Sequence, residues 1–182
     1  MKTLIINGSP RKNGDTVFLL SKLREHINHD IVEVSAYYNN IKPCDDCRAC
    51  KKKKGCVIDD DMQVIYGDDF DNVIIASPLY MSNLTPPLIG LASRFQAYYC
   101  AKRFIKDEFH LKDKKAALLL VGGGDGGPAE AIKLSQWIFK KLNANGFEKN
   151  IVLSLKTDDI STSEDKEAIK KVKEIALYFN GD

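Results

Sequence analysis

The sequence predicts a doubly wound α/β fold on a five-stranded parallel sheet. Three observations lead there. Five short apolar runs recur along 182 residues, each almost free of polar interruption, which marks strands buried on both faces. Stretches that can be helical alternate with them. Polar, glycine-bearing loops follow the first, third and fourth runs, where ligands of such sheets bind. The length and the composition, 44% hydrophobic and 29% charged, suit one globular domain over residues 1–182, with a long cysteine-bearing insertion after strand 2.

The elements follow in order. Thr3–Ile6 is the first run, and GSPRKNGDT leads from it into a helix whose apolar positions Val17, Leu20, Leu23 and Ile27 keep helical spacing. Ile31–Val34 is the second. Regular alternation then lapses until the third run, Asn72–Ser77. Residues 36–60 form the cysteine-rich loop, and one short helix, about Asp60 to Tyr66, is begun by Asp59–Asp61. Thr85 caps the next helix with Pro86 at its first position, and Gly127 precedes Pro128 in the same way after the fourth run, Ala116–Val121. The fifth run, Ile151–Leu155, precedes a charged amphipathic helix from Ser163 to about Tyr178, with Glu164 and Asp165 in its first turn.

Charge and hydropathy narrow the classes. Basic and acidic residues nearly cancel at net +2, so no bulk charge argues for nucleic acid. The N-terminal MKTLIINGSP lacks the apolar core of a secretory signal, and the longest apolar run, Ala116–Val121, is far short of the ~20 residues that span a bilayer. A cytoplasmic location is expected. Four of the five cysteines fall between Cys44 and Cys56, and in a reducing compartment such clustering points to metal or redox chemistry.

Three loops have ligand-like composition. In Gly8–Thr16, Ser9 and Thr16 supply hydroxyls, Arg11 a fork donor and Gly14 a close backbone approach, all at a helix N-terminus that favours an anion. The G-K-[ST] ending of a nucleoside-triphosphate loop is absent, so the terminal phosphate of a mononucleotide suits it better. In Ser77–Asn83, Pro78 holds the chain extended, Tyr80 and Met81 give flat or polarisable surface, and Ser82 and Asn83 give polar atoms, a set suited to a planar heterocycle. Gly122, Gly124 and Gly127 formally spell G-x-G-x-x-G. They follow the fourth run rather than the first, and no acidic residue ends the next strand, so the dinucleotide reading is rejected. Glycines there let the backbone lie close to a bound ring.

GSPRKNGDT after the first strand and SPLYMSN after the third resemble the NAD(P)H-dependent FMN reductase superfamily, and the cysteine segment narrows this to the iron–sulfur flavoprotein family. The resemblance runs from Met1 to about Gly127. It implies a flavodoxin-like fold and an FMN-dependent oxidoreductase, with Ser9, Arg11, Asn13 and Thr16, and Asp15 beside them, at the FMN phosphate. It implies further that Pro78, Leu79, Tyr80, Met81, Ser82 and Asn83 border the isoalloxazine, with Gly122, Gly123, Gly124 and Asp125 closing one side. Relatives usually carry Lys and Asp where this chain has Ile89 and Ser93 before Arg94. A homodimer or homotetramer is the assembly it implies.

The cysteine segment reads C-x2-C-x2-C-x5-C at Cys44, Cys47, Cys50 and Cys56. Two-residue gaps let three thiolates curl around one centre, and the longer gap returns the fourth from another direction. Zinc sites more often use two separated C-x2-C pairs, so the spacing argues for a cluster. In iron–sulfur flavoproteins this motif resembles the ligand set of a 4Fe–4S cluster. Residues 42–56 carry a local charge of +4 and residues 57–71 carry −6. Lys51–Lys54 could offset an anionic cluster or dock an acidic donor such as a ferredoxin.

The remaining candidates are bland. Cys100 is expected to be a buried bystander, and His26, His29 and His110 not to be ligands. Trp137 is expected in the core with Leu134, Ile138 and Leu142, and Phe95, Tyr98 and Tyr99 at a subunit interface. The functional expectation is FMN with a 4Fe–4S cluster, joining one- and two-electron partners: NAD(P)H or a ferredoxin as donor, a small molecule or protein as acceptor. A cluster-free NAD(P)H-dependent FMN or quinone reductase, an electron carrier and, last, a zinc-bearing nucleic-acid module are the alternatives.

Overall fold

The computed structural model describes residues 1–67, 69–124 and 126–181. Among these residues, six strands form one sheet: β1 (Lys2–Asn7), β2 (Asp30–Ser35), β3 (Asn72–Pro78), β4 (Lys114–Gly122), β5 (Ala144–Asn145) and β6 (Ile151–Leu155). Every pairing between them is parallel. The order is β2-β1-β3-β4, after which β5 and β6 share the last position, β5 on Lys114–Lys115 and β6 on Leu118–Gly122. This is the flavodoxin-like order with its fifth strand broken in two. The break lies where Gly146, at φ 81°, turns the chain so that Phe147 enters the core and packs 5.1 Å from Phe139. Asn150 Nδ2 donates to the carbonyls of Gly146 and Ala116 across the gap, replacing the interrupted ladder.

The apolar runs become strands because alternate residues are buried on opposite faces. In β4, Ala116, Leu118 and Leu120 join one core cluster, while Ala117, Leu119 and Val121 join the other. α1 (Asp15–Arg24) and α6 (Lys166–Asn180) cover the second face. α2 (Gln63–Tyr66), α3 (Pro86–Ser93), α4 (Gln96–Cys100) and α5 (Ala129–Lys141) cover the first. Each fully buried Leu or Ile contributes about 1.5–3 kcal/mol, so the two clusters supply the main driving force for the layered fold.

Helix starts differ from expectation in three places. Thr85 precedes Pro86 as expected. Pro128, however, is the N-cap of α5 rather than its first residue. α6 begins at Lys166, because the Asp165 carboxylate accepts from the Ala168 N–H at 3.0 Å and is itself fixed by Ser154 Oγ at 2.8 Å. Ser163 lies instead in a preceding 3-10 turn, Thr162–Glu164. α2 is only one turn long, since Asp60 and Asp61 are used to hold the chain that precedes the cysteine loop. Beyond α4, a π-helical turn covers Ala101–Ile105.

Candidate functional site

The loops that leave β1, β3, β4 and β6 meet at the carboxyl edge of the sheet, around a cleft of about 270 Å³. Ser9, Arg11, Asp15 and Thr16 come from the first loop, Pro78, Leu79 and Tyr80 from the second, and Gly123 from the third. α1 begins at the cleft, and its N-cap Gly14 makes no side-chain cap hydrogen bond to its first amides. Ser9 Oγ is turned inward, accepting from the Arg11 N–H and donating to the Arg11 carbonyl, which folds the loop back on itself. The exposed Tyr38 hydroxyl donates to the Pro10 carbonyl and pins the loop from outside. The Asp15 carboxylate is occupied in part, accepting from the Thr162 N–H at 3.2 Å.

Close packing beneath the cleft depends on Gly8. A Cβ there would stand 2.6 Å from Leu88 Cδ1 and 3.0 Å from Thr85 Oγ1. Thr85 Oγ1 donates to the Gly8 carbonyl at 2.9 Å, so the N-cap of α3 and the start of the β1 loop lock together. Ser77 Oγ bridges the same point, donating to the Pro78 carbonyl and accepting from the Thr85 N–H.

Several expected residues stand outside the lining of this cleft. Tyr80 and Asn83 exchange backbone hydrogen bonds at 2.9 and 3.0 Å, closing a tight hairpin whose central residues Met81 and Ser82 are left-handed, at φ 50° and 62°. Both positive angles match a type I′ turn. The hairpin carries Met81 to its tip, fully exposed, and turns Asn83 toward a neighbouring groove. Asn13 is exposed where the first loop bows outward. Gly122 is buried as the last residue of β4, with Leu155 and Leu79 against it, while Gly124 opens on solvent. Asp125 lies outside the described residues.

Two lining residues were missed from the sequence, Thr157 and Asp158. Their backbone N–H groups donate to the carbonyls of Gly122 and Gly123, zipping the glycine loop to the end of β6. A Cβ on Gly123 would come within 2.6 Å of the Asp158 carboxylate, so the two approach closely at the cleft wall. A signal existed: K-T-D-D follows the fifth run directly, at the edge where ligands bind.

The cysteine loop forms a second centre beside α3 and α4. Cys44, Cys47, Cys50 and Cys56 all line one cavity of about 70 Å³. Left-handed Asp46 and Arg48 curl the backbone between them. Among the described residues, no group of three or more His, Cys, Asp or Glu could hold a metal ion as the side chains stand. The donor set is nonetheless all thiol, the type that suits an iron–sulfur cluster. Cys100, expected to sit apart, lines the same cavity, fully buried. Burial pushes the Cys50 thiol up to about 12, and its hydrogen bond with Cys100 is the next cause.

Ser93 and Arg94 anchor this loop. Ser93 Oγ accepts from the Cys44 N–H at 2.9 Å. Arg94 forms an ion pair with Asp60 at 2.6 Å, both side chains wholly buried. Burial works against both charges. Asp60 nevertheless stays below the usual carboxylate range through Arg94 and the amides of Lys42 and Met62, and Asp60 is the first group to raise Arg94. The acidic block is thus partly spent on structure: Asp60 here, and Asp61 on Asn39 and Asn40. Of the lysines, Lys51 lines the cavity, whereas Lys54 is tied to Asp107 at 2.7 Å. A lone arginine within the apolar stretch LIGLASRF was the signal that periodicity overlooked.

A groove of about 1000 Å³ runs from Cys44 and Asp46 past Ile89 to Trp137 and Asn83. Trp137 is 41% exposed there, because Ile138 and Leu142, not Trp137, fill the core-facing stripe of α5. The interface expectation for the aromatic trio is corrected as well. Phe95 and Tyr98 are core residues, stacked with ring centroids 5.7 Å apart, and of the three only Tyr99 is exposed. No helix among the described residues is long and apolar enough to cross a membrane.

An iron–sulfur flavoprotein of Methanosarcina thermophila is 33% identical across 71% of this chain and 68% of its own length. The chain spans about two thirds of the length of such relatives, for example 66% of one from Methanocaldococcus jannaschii. An NADPH azoreductase of Bacillus sp. strain OY1-2 is 26% identical over 99% of this chain and 93% of its own. An FMN-dependent NADH-azoreductase of Bacillus anthracis, solved in complex with FMN, shares the fold with a TM-score of 0.71 at 19% identity, covering 99% of this chain and 100% of that one. The family model described as NADPH-dependent FMN reductase matches residues 1–158, and the chain belongs to that family.

Proposed function

We propose that the chain is a single FMN-binding domain, residues 1–182 with its cysteine-rich loop at 36–60, that couples NAD(P)H-linked flavin chemistry to a 4Fe–4S cluster on Cys44, Cys47, Cys50 and Cys56. The observation that carries this is the convergence of four strand-end loops on one cleft, beside a cavity that all four spaced thiols line. The residues fit the flavin. The uncapped amides of α1, with Thr16 and the exposed Arg11, suit the phosphate. Thr157 and Asp158 suit the hydroxyls of the ribityl chain, since a carboxylate accepts from hydroxyls and repels phosphate. Pro78, Leu79, Tyr80 and Gly123 would flank the ring, and Met81, Ser82 and Asn83 would meet it from the hairpin.

A bound FMN supplies acceptance of an electron pair and its release in single steps, and a cluster supplies single-electron transfer. The chain's own part is to orient and tune. Loop backbone holds the phosphate end, the glycine loop permits close approach to the ring, and the Gly8–Thr85 lock keeps the first two loops in fixed register. The donor would be NAD(P)H or a ferredoxin-like carrier, the acceptor a small molecule or protein, and the assembly a homodimer or homotetramer.

A cluster-free NAD(P)H-dependent FMN or quinone reductase is the second reading, favoured by the absence of a ready metal-holding group among the described residues. Anaerobic purification with iron, labile-sulfide and flavin analysis separates the two. The first reading expects about four irons and one FMN per chain, and loss of the iron with retention of FMN in Cys47→Ser. Iron-free protein that still turns over NAD(P)H supports the second. Protein with no FMN affinity refutes both.

A further inference from the structure

Arg94 closes the cysteine loop. It follows α3 as its C-cap and is 1% exposed. Its Nη1 donates to the Lys42 carbonyl at 2.8 Å and to Asp60 Oδ2 at 2.6 Å, and its Nη2 donates to the Ile58 carbonyl at 3.2 Å. Lys42 and Ile58 each stand two residues outside the ligand loop, before Cys44 and after Cys56. One guanidinium therefore clasps both ends of the loop.

The clasp does not use every donor. The Nε–H of Arg94 is buried and has no hydrogen-bond partner by geometry among the described residues. Leaving a donor on a charged group buried and unpaired is costly, so a fold that keeps one calls for an acceptor. Arg94 lines the cysteine cavity, and its guanidinium lies against the Cys56 thiol. The other cationic residues lining that cavity, Arg48 and Lys51, are exposed and screened by water.

We infer that Arg94 is a positioning residue for the cluster: its buried guanidinium donates to the Cys56 thiolate and raises the reduction potential of the centre. The inference rests on the cluster reading above. A thiolate-ligated iron–sulfur core is net anionic and becomes more so on reduction, so a fixed cation at short range stabilises the reduced form more. Asp60 offsets part of that charge. Its carboxylate is also bonded by the Lys42 and Met62 amides, so its charge is shared among three partners.

The test uses the full chain, its Arg94→Lys variant and its Arg94→Met variant, each reconstituted anaerobically with ferrous iron and sulfide. Circular dichroism checks folding, iron and sulfide analysis checks loading, and redox titration followed by electron paramagnetic resonance gives the midpoint potential. Lysine keeps the charge and a bond to Asp60, so Arg94→Lys keeps the assay interpretable if the methionine variant unfolds. The expected result is a midpoint shifted negative in Arg94→Lys and further in Arg94→Met where it folds. A purely structural clasp would alter loading or stability and leave the potential in place. Loaded variants titrating with the wild type overturn the inference, and wild-type protein that takes up no iron removes the cluster reading and this inference together.

Discussion

Replacing Gly8 by Ala tests whether the two cleft loops are locked by close packing. The added Cβ would lie 2.6 Å from Leu88 Cδ1, 3.0 Å from Ser77 Oγ and 3.0 Å from Thr85 Oγ1. None of these has free room, since Leu88, Ser77 and Thr85 are all fully buried. Relief requires moving Thr85, which strains its 2.9 Å bond to the Gly8 carbonyl. Overpacking of this kind costs about 2 kcal/mol, or roughly 4–8 °C in Tm for a chain of this length. Two further glycines calibrate the experiment. Among the described residues, nothing beyond its chain neighbours lies within 4 Å of a Cβ added at Gly124, so Gly124→Ala is expected to melt within about 0.5 kcal/mol of wild type. At Gly123 the obstacle is the end of the Asp158 side chain, which can swing away, so stability is expected to hold. The methyl would then occupy the cleft and weaken FMN binding by at least about tenfold, or 1.4 kcal/mol. Thermal unfolding and fluorescence titration with FMN read the series. Gly8→Ala melting at the wild-type temperature, or Gly124→Ala falling as far, would refute the packing argument.

Three further outcomes are expected. Asp60→Ala leaves the buried Arg94 charge unpaired and should cost about 3–5 kcal/mol in urea unfolding, with part regained in the Asp60→Ala/Arg94→Met double variant. Burial, and then the N-terminal charge, lower the pKa of His29, whose Nε2 lies 2.7 Å from Thr3 Oγ1. The unfolded chain therefore binds the proton more readily; His29's contribution is complete above its ordinary value of 6.5 and is lost as pH falls through and below it. His29→Gln should flatten the stability profile between about pH 5 and 7, and a profile identical to wild type would rule this out. Ser82→Gly relieves a left-handed serine in the hairpin and should raise stability by about 0.5–1 kcal/mol, read as a higher urea midpoint at unchanged slope.

Much of the fold was legible because burial on both faces leaves a continuous apolar mark. All five runs became strands at the expected places, and Thr85–Pro86 opened its helix as read. What escaped was local competition. Phe147 pulled the fifth strand position apart, Asp165 displaced Ser163 as the cap of α6, and Trp137 lay just off the core-facing stripe. Composition and spacing marked the three glycine- and hydroxyl-bearing loops but not their reach. They could not tell that a type I′ hairpin would lift Met81 away from the cleft lining, or that Thr157 and Asp158 would complete it.

The sequence by itself determined the strand–helix alternation, the edge of the sheet that carries ligand loops, and the unusual thiol spacing. These depend on period and on neighbours along the chain. Only the tertiary structure decided which distant groups meet. Lys42, Ile58 and Asp60 meet Arg94 from the two flanks of the cysteine loop, and Cys100 joins Cys50 from α4. Such meetings follow from how helices dock on the sheet, where a buried charge must find its partners across tens of residues. No local pattern in the chain records that requirement, which arises once packing excludes water.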